Sequence, residues 1–495
     1  YTFLFKIMNL LENSKDFRTE NKYAVSSSQT RFLIGHSSNE WTSKPHTSPS
    51  MQQPMDEELH TTEEWEVNQE QLQTMQRKTD NPPKLLTRAA GKTTCSIFRL
   101  PRSFKDLNGK SYQPQAVSIG PYHRGEQNLN MIEEHKWAYL GGMLSRLASS
   151  GVSLEVLIRA VHSLEAQARE CYSEEISMAS DDFIEMMILD GCFILELFRK
   201  YRNSVDFESD DPILKMDWVM LFLCRDLLGL ENQIPLFVLQ CLFTLTCEGE
   251  EKSLSLTRIA LDFFNYSTQR PWEVISELSG LEGKHLLDLI RASYVESSFP
   301  RAQEIQKLIN TPAKVIYCVS KLRRSGIEIR ERKADSFLDV SFKGGILDMP
   351  TITFDDFTSS FLLNCVAYEQ CHNAVSKHFT TYATLLDWLV NSDRDVEYLC
   401  DKNIFNNYFG SDAELAKFIN NMGNEVSIDI GASYLSKLFV DVDKHYRNSW
   451  HVQVASFKYT YFNTPWSLIS ALAAGVLLLL TVAQTFFSIY PVVHK

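Results

Sequence analysis

The chain has 495 residues and a formal net charge of −13. That acidic balance speaks against a nucleic-acid binder, which carries a basic footprint, and against a surface that clings to anionic lipid. With 44% hydrophobic and 22% charged residues, the composition is that of a chain that buries a core, and its length suits roughly two to four ordinary domains or one large one with tails.

None of the ten cysteines stands in Cys-x-x-Cys spacing. The closest pairs, Cys241/Cys247 and Cys365/Cys371, are too far apart for a zinc ribbon. Most cysteines, such as Cys192 and Cys224, sit in apolar runs where free thiols act as small hydrophobes, so a reducing compartment is expected. The sequence begins at Tyr1 rather than Met, and its opening YTFLFKIMNLL has an internal Lys6 and no small-residue cleavage site. It is not read as a signal peptide.

Residues 1–90 are rich in Ser, Thr, Gln, Glu and Pro and bury too little apolar surface to offset ordering entropy. Disorder is expected there, with one short helix over 62–78. The folded part is expected to start near Cys95. Trp137, Leu140, Leu144 and Leu147 then share a helical face, as do Val156, Leu157, Ala160, Val161 and Leu164, with Ser153 as N-cap and Glu165/Arg169 paired one turn apart. Residues 182–200 (DFIEMMILDGCFILELFRK) are apolar nearly all round, which predicts a buried helix. Residues 213–247 are apolar too, but Arg225, Asp226, Glu231, Asn232, Gln233 and Pro235 divide them. A charge at the bilayer centre costs roughly 2.5–3.5 kcal/mol, so two core helices with a polar joint are expected, Pro235 lying in the first turn of the second.

Near residue 327 the period changes. Ile327/Ile329, 337–342, 346–349 and 351–354 alternate or are β-rich, with Gly344, Gly345 and Pro350 as breaks, which predicts a small antiparallel sheet over about 327–354. Helices resume at 359–375, 382–392, 393–400 and 413–422. From Tyr459 to Val493 there is no Asp, Glu, Lys or Arg. Residues 467–490 exceed the roughly 20 apolar residues that span a bilayer, with Trp466 and Tyr490 at its interfaces. The expectation is a single membrane span of the tail-anchored kind, followed only by 491–495. Lys444, Arg447 and Lys458 precede it, so the positive-inside bias puts the large domain in the cytosol.

The stretch SIGPYH, Ser118–His123, raises the question of chemistry. Pro121 fixes its own φ and steers Gly120 to a bend. Tyr122 and His123 are then either a catalytic pair or the plug of a structural corner, and the corner is the expectation because no nucleophile motif accompanies them. Glu231, Asn232 and Gln233 in the joint, and Asp190 inside an apolar helix, must find buried partners. Together Tyr122, His123, Asp190, Glu231, Asn232 and Gln233 form a candidate polar pocket. Glu369 and His372, with Cys371 and His378 nearby, supply fewer ligands on one face than the three or four zinc needs. Gly-x-Ser-x-Gly, His-Glu-x-x-His and a P-loop are missing. The basic cluster Lys321–Lys333 is interleaved with Glu328 and Glu331 and reads as a solvated face.

Several blocks in order resemble one family: CSIFRLP (95–101), YQPQAVSIGPYHRG (112–125), IEEHKW (132–137), MMILDGCFILELF (186–198), RDLLGLENQIPLFVL (225–239), the 337–354 region, LNCVAYEQC (363–371) and YFNTPWSLISALAA (461–474). The chain resembles the plant membrane-associated family known as domain of unknown function 247, over about residues 95–490. The region after Pro312 departs from the family pattern. The resemblance implies no established enzymatic activity, no cofactor and no catalytic or metal residue. Some grass members are implicated in pollen–stigma self-recognition.

The reading is a mainly α protein: a multi-helical domain over 95–460 with a small antiparallel β-sheet insertion, and one C-terminal transmembrane helix. It is not read as an enzyme. Its expected partners are the lipid bilayer, through 467–490, and an unknown protein, with no nucleic acid. The alternatives are a membrane-bound enzyme built on His123, Asp190 and Glu231, and an extracellular recognition head.

Overall fold

A computed structural model describes residues 68–80, 90–202, 211–298, 316–424, 426–447 and 465–493. The chain divides into two units, Tyr1–Asn81 and Pro82–Lys495. In the first unit, α1 (Gln69–Asp80) has no buried residue, as its polar sequence requires. The rest of the expected disordered segment lies outside the described residues.

The second unit is mainly helical. Its principal helices before the sheet are α2 (Arg102–Tyr112), α3 (Asn130–Leu147), α4 (Leu154–Glu170), α5 (Ser180–Tyr201), α6 (Asp217–Asp226), α7 (Leu236–Thr246), α8 (Leu256–Thr268) and α9 (Leu286–Ser298). The strands are β1 (Glu328–Arg332), β2 (Ser341–Lys343), β3 (Ile346–Pro350) and β4 (Ile352–Phe354). Then come α10 (Asp356–Cys371), α11 (His378–Leu389), α12 (Asp393–Asp401), β5 (Phe405–Asn407), α13 (Asp412–Gly423), α14 (Ser436–Tyr446) and α15 (Pro465–Val493).

Helix α5 is the central rod. Its buried residues run almost without a break from Phe183 to Arg199, and α3, α4 and α7 pack around it. Gly191 permits the closest approach: a Cβ there would stand 2.4 Å from Leu242 Cδ1 of α7. The apolar run 213–247 is indeed two helices, α6 and α7, and Pro235 is the N-cap residue of α7 rather than inside its first turn. Arg169 meets Glu165 at 2.8 Å on α4 as expected, whereas Ser153 caps α4 by position without a side-chain bond.

Three expectations need correction. Trp137 and Val156, read as members of apolar helical faces, are 50% and 38% exposed; periodicity identifies a stripe but not how much of it a neighbour covers. The sheet is not simply antiparallel: β3 pairs antiparallel with β2 but parallel with β1. The third concerns 351–354, which leaves that sheet. Its β4 pairs parallel with β5, some fifty residues downstream, a long-range partner that local alternation carries no trace of.

Helix α15 is 29 residues long and lacks Asp, Glu, Lys and Arg. Its described side chains, Leu472, Val476, Leu479 and Phe486 among them, are exposed. Among the described residues no helix is long and apolar enough to cross a membrane, so the expected transmembrane helix is not supported by this finding.

Candidate functional site

The six candidate residues lie along one buried seam between the 115–123 segment and the α6–α7 joint. The seam is built backbone to side chain. At its start, Asp226 Oδ2, at the end of α6, accepts the amides of Gln115 (2.8 Å), Ala116 (2.6 Å) and Val117 (3.1 Å). Burial pushes the Asp226 carboxyl upward against these amide bonds. Asn232 follows: its Oδ1 accepts Ile119 N at 2.7 Å, and its Nδ2 donates to Val117 O and Asp226 O. Gln233 closes the joint on itself, its Nε2 donating to Leu227 O and Gly229 O, while its Oε1 accepts Leu287 N at 3.3 Å.

Asp190 is a fully buried carboxylate on α5. Its Oδ2 accepts Gly120 N at 2.8 Å, and its Oδ1 accepts the Lys136 ammonium at 2.7 Å. Lys136, only 1% exposed, also donates to Ser118 O and Glu133. A buried ammonium with three acceptors around it is fully satisfied. Gly120 has a φ of +74°, and a Cβ there would stand 2.4 Å from Gln233 O. Glycine is required for the backbone angle and for the space alike.

Glu231 faces the other way. Its Oε1 accepts Leu100 N at 2.6 Å, and Lys105 and His123 Nε2 approach it at 2.8 and 3.4 Å. Burial alone would raise this carboxyl, but bonds from His123, Lys105 and Leu100 outweigh it and hold it below the usual value. His123 Nδ1 meets Glu126 at 2.7 Å, so the imidazole lies between two carboxylates. Tyr122 shares none of these bonds, its hydroxyl 3.3 Å from Ser173 Oγ and its ring edge-on to Tyr172. Burial pushes its phenol up to about 12.

The structure thus gathers the six along one seam. Two cavities are lined by other residues: one of about 530 Å³ between α6, the start of α10 and the β5–α13 turn, and one of about 280 Å³ between α3, α4 and α5. The seam's polar groups point at backbone amides and carbonyls, and SIGPYH is a corner.

Glu369 behaves alike, whereas His372 and His378 are placed by ring contacts. Glu369 accepts the amides of Phe379 and Thr380 at the start of α11 and an ion pair from Arg291 at 3.1 Å. The ring of His378 stacks on Tyr434, and His372 packs edge-on to Phe98. Among the described residues no group of three His, Cys, Asp or Glu side chains is placed to hold a metal. The ten cysteines are free thiols.

Sequence reasoning missed the two cations that neutralise this interior, Lys136 and Arg291. Lys136 sits three residues after Glu133 in an otherwise unremarkable helix; a Lys flanked by core positions Ile132, Tyr139 and Leu140 was the available signal.

These features define a class: a mainly helical domain with a small mixed sheet, closed by a buried polar seam bonded largely to its own backbone. The family model for plant proteins of unknown function, DUF247, matches residues 97–480, and the chain belongs to this family. A UPF0481 protein of Arabidopsis thaliana is 37% identical over 426 residues, covering 82% of this chain and 89% of that protein. A putative UPF0481 protein of the same plant is 24% identical over 492 residues, covering 80% and 90%. No solved structure matches.

Proposed function

We propose that the protein is a recognition module whose helical head is held at a membrane by residues 467–490 and which binds another protein without transforming it. The observation that carries the anchor is a 29-residue helix, α15, with no charged side chain and with its described apolar side chains exposed. A globular helix of that length keeps a charged face, and this one has no charge to turn to water. Lys444, Arg447 and Lys458 on its N-terminal side support a cytosolic head. The recognition reading is supported by the seam: Asp190 and Glu231 are consumed by internal bonds, His123 is held through Nδ1 by Glu126, and the three line neither cavity. That weighs against the enzyme alternative.

Two measurements test the reading. The full chain is expected to resist alkaline extraction from membranes, and a variant lacking 467–490 to be released. Proximity labelling from the anchored chain is expected to mark partners that a head-deleted anchor does not. Release of the full chain into the alkaline supernatant overturns the anchor, and turnover of any substrate that His123→Ala abolishes overturns the binding role.

A further inference from the structure

The 530 Å³ cavity has a size within the usual range of ligand sites, about 300–1,000 Å³, and a composition unlike the seam. One wall is a stripe on α6: Trp218, Phe222 and Arg225, spaced by four and three residues so that they share a face. Trp218 and Phe222 meet edge-on at 5.8 Å, and the Arg225 guanidinium lies 5.2 Å from the Phe222 ring centre. The opposite wall carries Tyr408 and Phe409 from the β5–α13 turn. Trp218 is 47% and Tyr408 75% exposed.

The rim is acidic. Asp355, Asp356 and Glu414 line the same cavity and face one cation, Arg225, which already stands 3.6 Å from Asp226. Asp355 is engaged as the cap of α10, accepting Thr358 N at 2.7 Å. Among the described residues Asp356 and Glu414 have no cationic partner. Aromatic faces beside free carboxylates attract an organic cation twice, through the ring quadrupole and through charge. The cleft already holds one guanidinium over a ring in this way. A net charge of −13 also draws basic partners toward the surface.

We propose that this cleft between α6, α10 and the β5–α13 turn binds a basic segment of a partner protein, seating an arginine or lysine side chain against Trp218 and Tyr408 with Asp356 and Glu414 as counter-ions. It rests on the recognition reading above and gives that reading a ligand class. The aromatic walls exclude a partner recognised by charge alone, and the carboxylate rim excludes phosphorylated or acidic segments.

The test uses the full chain in zwitterionic detergent and a short Gly/Ser-spaced peptide carrying Arg and Lys, titrated by calorimetry. A matched peptide with norleucine and citrulline in place of the basic residues, and spermine, are run beside it. The basic peptide is expected to bind saturably and more loosely as salt rises. Trp218→Ala and the pair Asp356→Asn/Glu414→Gln are each expected to weaken it by about tenfold or more. All these positions are at the surface of the cleft, so unchanged unfolding midpoints serve as the folding control. No saturable binding, equal binding of the neutral peptide, or binding indifferent to both variants overturns the assignment; so does spermine binding with no peptide binding. If proximity labelling finds head-dependent partners while the peptide fails, the cleft assignment alone falls. If the peptide binds but no such partner is found, the cleft stands and the wider reading falls.

Discussion

The polar seam and the acidic cleft use carboxylates to opposite ends. In the seam, Asp190, Asp226 and Glu231 are buried at 1–2% exposure, and each meets amides or a cation inside the chain. In the cleft, Asp356 and Glu414 stand at a rim of exposed aromatic rings. A buried carboxylate without partners is too costly to keep, so the fold supplies them. A rim carboxylate is paid for by water and stays available. Clustered polar residues therefore mark a binding site only where their bonds are left open.

The contrast breaks most sharply at Asp190. Asp190→Ala takes the fully buried counter-ion from Lys136, leaving it only the part-exposed Glu133, and strips Gly120 N of its acceptor; a loss of about 3 kcal/mol is expected in denaturant unfolding of the full chain. Lys136→Met/Asp190→Leu should recover part of it, because a buried pair replaced by apolar groups no longer strands a charge. Gly120→Ala comes next. The added Cβ meets Gln233 O at 2.4 Å with a φ of +74°, and a loss of about 2 kcal/mol or more is expected by the same measurement.

The pH dependence of the interior sharpens the comparison further. Burial holds the His285 imidazole down at about 4, against 6.5 for the free side chain. Between those values the unfolded chain takes the proton first, so the contribution is present above pH 6.5 and is lost as pH falls toward 4. It amounts to on the order of 3 kcal/mol. His378, lowered by burial to about 4, works in the same direction. Asp387, raised by burial to about 6, opposes them: its contribution is present below pH 3.8 and is lost as pH rises through 6. Comparing parent with His285→Gln cancels the shared groups, and the variant's stability is expected to fall less between pH 6.5 and 4. An equal slope would mean that His285 takes up its proton as readily in the folded as in the unfolded chain. The smallest effect lies in the cleft: Glu414→Gln is expected to change stability by less than about 0.5 kcal/mol. A large loss there would show that its carboxylate is a structural partner after all.

Much of this was legible locally. The all-round apolarity of 182–200 predicted a buried rod, and α5 is one. The charges within 213–247 predicted a broken pair of helices with a polar joint, and α6 and α7 flank it. Both follow from composition within a few turns. The obligation of Asp190, Glu231, Asn232 and Gln233 to find partners also followed from their type and burial. Their partners did not, because the groups that satisfy them lie between 54 and 131 residues away wherever the bond leaves the joint.

The sequence by itself determined a helical core, its punctuation by a short β region, the uncharged helix near its end and membership of a plant family. Only the tertiary structure decided which polar residues are spent and which remain open. It also decided that β1 runs parallel to β3 and that β4 pairs with β5. The physical reason is the range of the forces. Helical periodicity and propensity act over one or two turns, whereas hydrogen-bond satisfaction and strand pairing are settled between segments that meet only once the core has closed.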